Sequence, residues 1–598
     1  MSENKVTFGR IFWPSLWAAL IISIIGTIIW LLVIFGVIGS FSQKSVYSVK
    51  DNTVLHMTLD GRIGEVGESK FNPSALSVDQ SIGLSDILNG LKIAENDDKI
   101  KGIFIEIDNL SCGYSTARQI RKAINKFEKS GKWVVAYNSG EIVTQKEFYL
   151  SSAANENYGF PTSNVELLGL GAELSFFKNT LDKLDVEMQV IRGSNNDFKS
   201  AVEPFFRDAM SDSSRLQIER YLTSMWGDIR ADIAKDTKST SIMIDSLANN
   251  ALVTDVEDAV KYKLMKSAKY RDEVMSIIAK KVKVENPENV ELASFSKYAK
   301  KKFYNEQKIL SESGEPNIAV ILAEGAISTD GDGLTSKDIC QLFRDVRANE
   351  SIKTVVFRVN SPGGSALASD EIWREVKLTN KTKKVIVSMG DVAASGGYYI
   401  AAPASTIFAE PTTITGSIGV FGVIPYTGKM MENKLGITFD RASTNDHSVL
   451  TTNRKLSEDE FNLIQKNVDE IYDQFKSRVA KGRGMTKEQV DVVARGRVWT
   501  GRDALKVNLV DKLGGLEDAI AFAAKGAKIK DKKVLYYPIV EKDFFDELLE
   551  ELEALENMKV SSNQSQLPQE LLNYYKQIRE IESFTGIQMR VPYQISIN

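Results

Sequence analysis

The ten residues Lys99-Ile-Lys-Gly-Ile-Phe-Ile-Glu-Ile-Asp108 recur in the second half of the chain as Ser351-Ile-Lys-Thr-Val-Val-Phe-Arg-Val-Asn360. Each is a β-branched, apolar run closed by a polar residue, the pattern of a buried strand. A helical pattern follows in both places, and then a second apolar run, Trp133-Val-Val-Ala-Tyr137 in one half and Val385-Ile-Val-Ser-Met389 in the other. Tyr149 and Pro161 fall opposite Tyr399 and Pro411 in a common register, and Asp182-Lys-Leu-Asp-Val186 matches Asn433-Lys-Leu-Gly-Ile437. Long amphipathic stretches near 212–235 and 458–481 correspond, and Asp255-Val-Glu-Asp-Ala-Val-Lys-Tyr-Lys-Leu264 pairs with Thr500-Gly-Arg-Asp-Ala-Leu-Lys-Val-Asn-Leu509. Self-similarity on this scale means two copies of one unit. Strands alternating with helices predict an α/β class of parallel sheets with crossover helices. The expected organisation is a first repeat at 50–282, a charged linker at 283–315, a second repeat at 316–535 and a tail at 536–598 that opens on the acidic run Glu541–Glu556.

At 598 residues the chain is too long for one hydrophobic core. Its 43% apolar and 26% charged composition is that of ordinary globular protein, and a net charge of −4 gives no electrostatic case for nucleic acid. Cys112 and Cys340, far apart, suit neither a disulfide framework nor a zinc cluster and read as small core residues. With two histidines, His56 and His447, imidazole metal sites and a Ser-His-Asp triad are disfavoured, so a hydrolase here needs another base. His56 lies inside the apolar run Val54-Leu-His-Met57 and reads as structural.

One segment is not that of a soluble protein. No charged residue occurs from Ile11 to Gln43, and residues 11–39 form an apolar stretch long enough, at about 1.5 Å per residue, to cross a bilayer core of about 30 Å. It is longer than the core of a cleaved signal peptide and ends without a small-x-small site, so the expectation is one uncleaved transmembrane helix behind a short tail at 1–10, anchored in membrane lipid. Lys5 and Arg10 before it balance Lys44 and Lys50 after it, and charge barely decides its orientation.

Chemistry is expected where the two copies differ. Asn360-Ser-Pro-Gly-Gly364 follows a strand, and its counterpart is Asp108-Asn-Leu-Ser-Cys112. Paired glycines there free the backbone to turn and aim an N–H at a ligand, although a plain turn has the same pattern. Asp391-Val-Ala-Ala-Ser-Gly-Gly-Tyr-Tyr399 places Ser395 at the start of a helix, where the Gly396 N–H and the helix dipole favour an oxyanion; an N-cap serine is the plain alternative. The matching residue of the first copy, Gln145, cannot be a nucleophile. In Phe198-Lys-Ser-Ala-Val-Glu-Pro-Phe205, apolar neighbours surround Lys199, and burial is what lowers a lysine toward use as a base. A surface lysine is the alternative. Lys199 falls opposite Ser448, so base and nucleophile are confined to opposite halves, in one composite site.

These motifs, with Thr415-Gly-Ser-Ile-Gly419, resemble the long, duplicated form of the signal peptide peptidase A family within the Clp-protease and crotonase superfamily, over roughly residues 50–535. The resemblance implies a serine protease in which Ser395 attacks the scissile carbonyl, neutral Lys199 takes its proton, the N–H groups of Gly364 and Gly396 form the oxyanion hole and Ser417 orients the lysine. It further implies two tandem crotonase-like repeats, remnant signal peptides as substrates, no metal or cofactor, a homo-oligomeric bowl, taken as a tetramer, and a bacterial cytoplasmic membrane location with the catalytic part facing the periplasm. Other readings stay open: an idle membrane scaffold of the same fold, crotonase-type acyl-thioester chemistry, or His447 in place of Lys199.

Overall fold

The computed structural model describes residues 49–67, 69–72, 77–331, 333–539 and 587–590. The expected membrane segment at 11–39 lies outside them, as do the N-terminal tail and most of 540–598. Among the described residues no helix is long and apolar enough to cross a membrane.

Two parallel sheets carry the core. In the first, the strands run in the order 267–268, 156–159, 133–138, 100–111, 53–62 and 292–294, all parallel. In the second the order is 498–500, 414–416, 384–394, 354–361, 318–324 and 534–537, with Thr406–Ala409 beside 384–394; only the pair 414–416 and 498–500 is antiparallel. Corresponding strands of the two halves thus sit in the same spatial order. Thr354–Ser361 shows why these segments are strands: its burial is nearly continuous on both faces, which a central parallel strand covered by helices requires. The helices Tyr114–Lys129 and Ala366–Thr382 follow the corresponding central strands of the two sheets.

The stretch 283–315, expected as a linker, is largely regular. Leu292–Ser294 adds a parallel strand to the edge of the first sheet, and Phe295–Ser313 is a helix capped by the Ser294 side chain. That helix buries Phe295, Tyr298, Ala299, Gln307 and Leu310, while Lys297, Lys301, Lys302 and Lys308 are among its charged residues. The apolar stripe at helical spacing is masked by the lysines between its members. Gln307 then holds the second sheet's edge strand, donating to Val534 O at 3.0 Å and accepting from Tyr536 N at 2.8 Å. This strand, Val534–Tyr537, runs past the expected repeat boundary at 535.

A third sheet joins the halves. Its order is 334–335, 327–328, 363–365, 587–590, 421–426 and 187–192. Glu187–Arg192 of the first half pairs antiparallel with Phe421–Tyr426 of the second, and Ile587–Arg590, from the stretch expected to be a tail, lies between 363–365 and 421–426. The internal repetition breaks here. Gly171–Phe176, which corresponds to 421–426, and Ile437–Arg441, which corresponds to the strand 187–192, are not strands.

Side chains also cross between halves. Arg358, fully buried in the central strand of the second sheet, donates from Nε to Glu65 Oε2 at 2.9 Å and places Nη2 2.9 Å from Oε1. Asp391, on the strand leading to Ser395, accepts from the Thr116 N–H at 2.9 Å and hydroxyl at 2.6 Å at the start of the first half's helix 114–129.

Candidate active site

Lys199 follows the strand 187–192 in a tight loop that other segments hold. Its N–H donates to Asn196 O at 3.1 Å, the Phe198 N–H donates to Arg495 O at 2.9 Å, and Gln217 Nε2 donates to Phe198 O at 3.1 Å. Gly496 lies directly beneath: its φ is +77°, and a Cβ there would stand 2.5 Å from the Lys199 backbone nitrogen. Only glycine allows that approach. The lysine is therefore seated by the second half of the chain, on the segment Arg495–Arg497.

Ser395 ends the strand Lys384–Ala394 at φ 55° and ψ −114°, a conformation that costs a non-glycine residue about 1–3 kcal/mol. Its N–H donates to Gly416 O at 2.8 Å, which fixes the turn. The helix that follows, Gly396–Ala401, has six residues. With so short a helix the dipole expected to stabilise an anion is small, and the individual N–H groups matter more. Ser417, also left-handed at φ 49°, donates its N–H to Arg497 O at 2.7 Å.

These loops bring three side chains to one point. Lys199 Nζ is 2.8 Å from Ser395 Oγ, 3.0 Å from Ser417 Oγ and 3.0 Å from Ser417 O, and all three residues are fully buried. Burial holds the lysine well below its ordinary pKa. A neutral amine has two N–H bonds and one lone pair. The Ser417 carbonyl can only accept, so the two hydroxyls share the remaining N–H and the lone pair. The Ser395 hydroxyl donating to that lone pair is the arrangement a general base needs.

Gly396 begins the helix, and Gly364 lies in the short strand 363–365, paired with Ile327 on one side and Met589 on the other. Gly363, at φ +100°, makes the contact between them: a Cβ there would sit 2.7 Å from Gly396 N. Both halves of this site come from a single chain. The expected residues Lys199, Ser395 and Ser417 touch one another, Gly396 adjoins the serine, and Gly364 is one residue beyond the glycine that packs on Gly396.

A model of peptidase family S49 matches residues 126–285 and 377–530, more than half of the chain. The chain belongs to peptidase family S49. It is a serine protease, 36% identical over 81% of its length and 71% of the relative's to the chloroplastic serine protease SPPA of Arabidopsis thaliana. It is 35% identical to Protease 4 of Salmonella typhi over 80% of this chain and 77% of that one, and 32% identical to Protease 4 of Haemophilus influenzae over 81% and 80%. A solved ClpP1 mutant from Listeria monocytogenes aligns with 37% of this S49 chain and 98% of its own at 15% identity and a TM-score of 0.25, too slight a likeness to decide anything.

Elsewhere in the S49 protease, the corresponding place in the first half is filled. Gln145 begins the helix Gln145–Ser151; its Oε1 accepts from Gly169 N at 2.8 Å and Leu168 N at 3.2 Å, and its Nε2 donates to Tyr114 Oη at 3.2 Å. His447 is exposed, 3.7 Å from Glu460, while the atom beside Ser395 is Lys199 Nζ. His56 sits 2.8 Å from Glu106 and stacks on Phe104. Both cysteines are free, and burial pushes the Cys112 thiol up to about 12. Sequence reasoning missed Gln217, Asn196, Gly496 and Gly363. Of these only Gly363 carried a signal, standing beside the glycine chosen in Asn360-Ser-Pro-Gly-Gly364.

Proposed function

We propose that Ser395 and Lys199 are the catalytic dyad of this serine protease, a reading carried by the buried 2.8 Å contact between Lys199 Nζ and Ser395 Oγ. As Oγ attacks a scissile carbonyl carbon, the neutral amine takes its proton. The N–H groups of Gly396 and Gly364 receive the oxyanion. The lysine ammonium then protonates the departing amine, and water hydrolyses the acyl-serine by the same relay. Ser417 orients the lysine through its hydroxyl and its carbonyl. In this reading the repeat at 50–282 supplies the base and the repeat at 316–535 the nucleophile, without metal or cofactor.

The substrates are hydrophobic peptides, cleaved signal peptides among them. The apolar segment 11–39 anchors the protein as a single-pass transmembrane helix in a bacterial cytoplasmic membrane, with the catalytic part facing the periplasm. Assembly is homo-oligomeric, as a tetramer. What favours assembly is the broken repetition: Gly171–Phe176 and Ile437–Arg441 correspond to two segments that pair with each other within the chain, so a second copy can complete the match head to tail.

The test is hydrolysis of a fluorogenic hydrophobic peptide by the detergent-solubilised protein. Ser395→Ala and Lys199→Ala are each expected to lower kcat by orders of magnitude. Full activity in either variant would remove the dyad and bring forward another base or an idle scaffold.

A further inference from the structure

Gln217 sits in the second turn of the helix Asp212–Asp236, with its side chain buried. Its amide reaches three places at once. Nε2 donates to Phe198 O at 3.1 Å and to Ser200 Oγ at 2.9 Å, while Oε1 accepts from the Val498 N–H at 3.2 Å. The partners dictate which way the amide faces, since the Phe198 carbonyl can only accept and the Val498 N–H can only donate. Both N–H bonds thus go to the residues immediately before and after Lys199, and the oxygen goes to the other half of the chain. This needs two donors and an acceptor on one neutral group; a carboxylate has no donor, and neither has a thioether.

Val498 opens the strand 498–500, and the segment around it holds both serines of the site. Val498 stands opposite Gly416, whose carbonyl accepts the Ser395 N–H at 2.8 Å. Arg497 O accepts the Ser417 N–H at 2.7 Å, and Gly496, beneath Lys199, donates to Ile418 O at 2.8 Å. One amide therefore spans the peptide that carries the lysine and the strand edge that fixes the two hydroxyls the lysine meets. The helix has other holds on this strand: the Arg220 guanidinium lies 5.0 Å from the centre of the Trp499 ring, and Ser224 Oγ is 2.9 Å from Thr500 Oγ1. The second copy lacks such an amide. Counted from the capping serines Ser211 and Ser457, Gln217 falls opposite Leu463, which is exposed, just as Lys199 falls opposite Ser448.

We propose that Gln217 is a positioning residue of the proteolytic reaction: its amide sets where Lys199 Nζ stands relative to Ser395 Oγ and Ser417 Oγ, by clamping the main chain on both sides of the lysine to the strand 498–500. This rests on the reading of Ser395 and Lys199 as the dyad. A lysine stem is four flexible carbons long, so the amine keeps its 2.8 Å contact with Ser395 only if its backbone origin is held. A misplacement of about 1 Å costs on the order of 100-fold in rate. The loss falls on proton transfer, and so on kcat rather than KM.

The experiment measures kcat, KM, the pH profile and Tm for Gln217→Met and Gln217→Glu with the fluorogenic hydrophobic peptide, beside Lys199→Ala. The first variant keeps the length of the side chain without a donor, and the second keeps its shape and, when ionised, has no donor either. Each is expected to lower kcat by about 10- to 100-fold with KM changed less than about twofold. Each should also move the midpoint of the rising limb of the pH profile up toward the ordinary lysine value, because a loosened loop lets water reach the amine. Ser200→Ala removes one of the three bonds and carries the test where neither Gln217 variant folds; it should lower kcat about threefold in the same direction. Wild-type kcat and pH midpoint in a folded Gln217 variant whose Tm alone has fallen overturn the proposal and leave the dyad standing, since a merely structural amide changes stability and nothing else. Unchanged kcat in Ser200→Ala, where it alone folds, does the same. Full activity in Lys199→Ala overturns the dyad, and the positioning role with it.

Discussion

Lys199 has been stripped of water without being given a carboxylate, and its free energy depends on pH accordingly. Burial holds its folded pKa well below the ordinary 10.5. Between those two values the unfolded chain binds the additional proton, so stability rises with pH across that window. Lys199→Met, which keeps the apolar stem and discards the amine, should therefore raise Tm at neutral pH, with the gain shrinking toward pH 10.5; a gain constant with pH in thermal scans would show that the lysine folds charged. The wild-type rate should climb as the lysine loses its proton, with a midpoint well below 10.5. Lys199 and Ser395 were legible in the sequence because the opposite copy holds no lysine and no serine in the matching places, which are Ser448 and Gln145. Gln217 and Gly496 were not, since each acquires its role only when folding carries it to a loop that is remote along the chain.

Among the elements, the parallel strands were legible from β-branched runs that occur twice, and the helix at 295–313 was not, because interspersed lysines concealed its apolar stripe. The third sheet was illegible for a different reason. Its strands are two to six residues long, and their partners come from both halves and from the tail, so no local pattern announces them. The link between Arg358 and Glu65 belongs to this scale, since it fastens the segment after the strand 53–62 to the centre of the other sheet. Burial pushes the Glu65 carboxyl up and the guanidinium draws it back. Arg358→Met leaves that carboxylate buried alone and is expected to cost about 3–5 kcal/mol in denaturant unfolding. Adding Glu65→Leu should restore most of the loss, because an apolar pair of similar volume replaces the ion pair without stranding a charge.

For the whole molecule, the two halves are not independent beads on a string, for they share a sheet and the point at which Lys199 meets Ser395. The exposed counterpart segment includes Ile437 and Phe439, both apolar. If it pairs with Gly171–Phe176 of a neighbouring copy, the detergent-solubilised protein will have a mass of four chains, and Phe439→Asp will shift it to smaller species in mass photometry. A single-chain mass for the wild type would end the assembly proposal. The duplication was legible in the sequence; how the copies embrace was not, because the segments that meet across the two halves are those in which the copies no longer match.

Gln145 has a consequence for counting. Because Gln145 fills, with its own hydrogen bonds, the place that the proposed nucleophile Ser395 takes in the second half, a covalent serine-directed peptide inhibitor should saturate at one equivalent per polypeptide, although the polypeptide contains two versions of the unit. In the proposed mechanism the first half thus contributes a base and no nucleophile of its own. A saturation substitution scan should find the walls around Gln145 tolerant of any change that preserves packing, while the walls around Ser395 accept almost none.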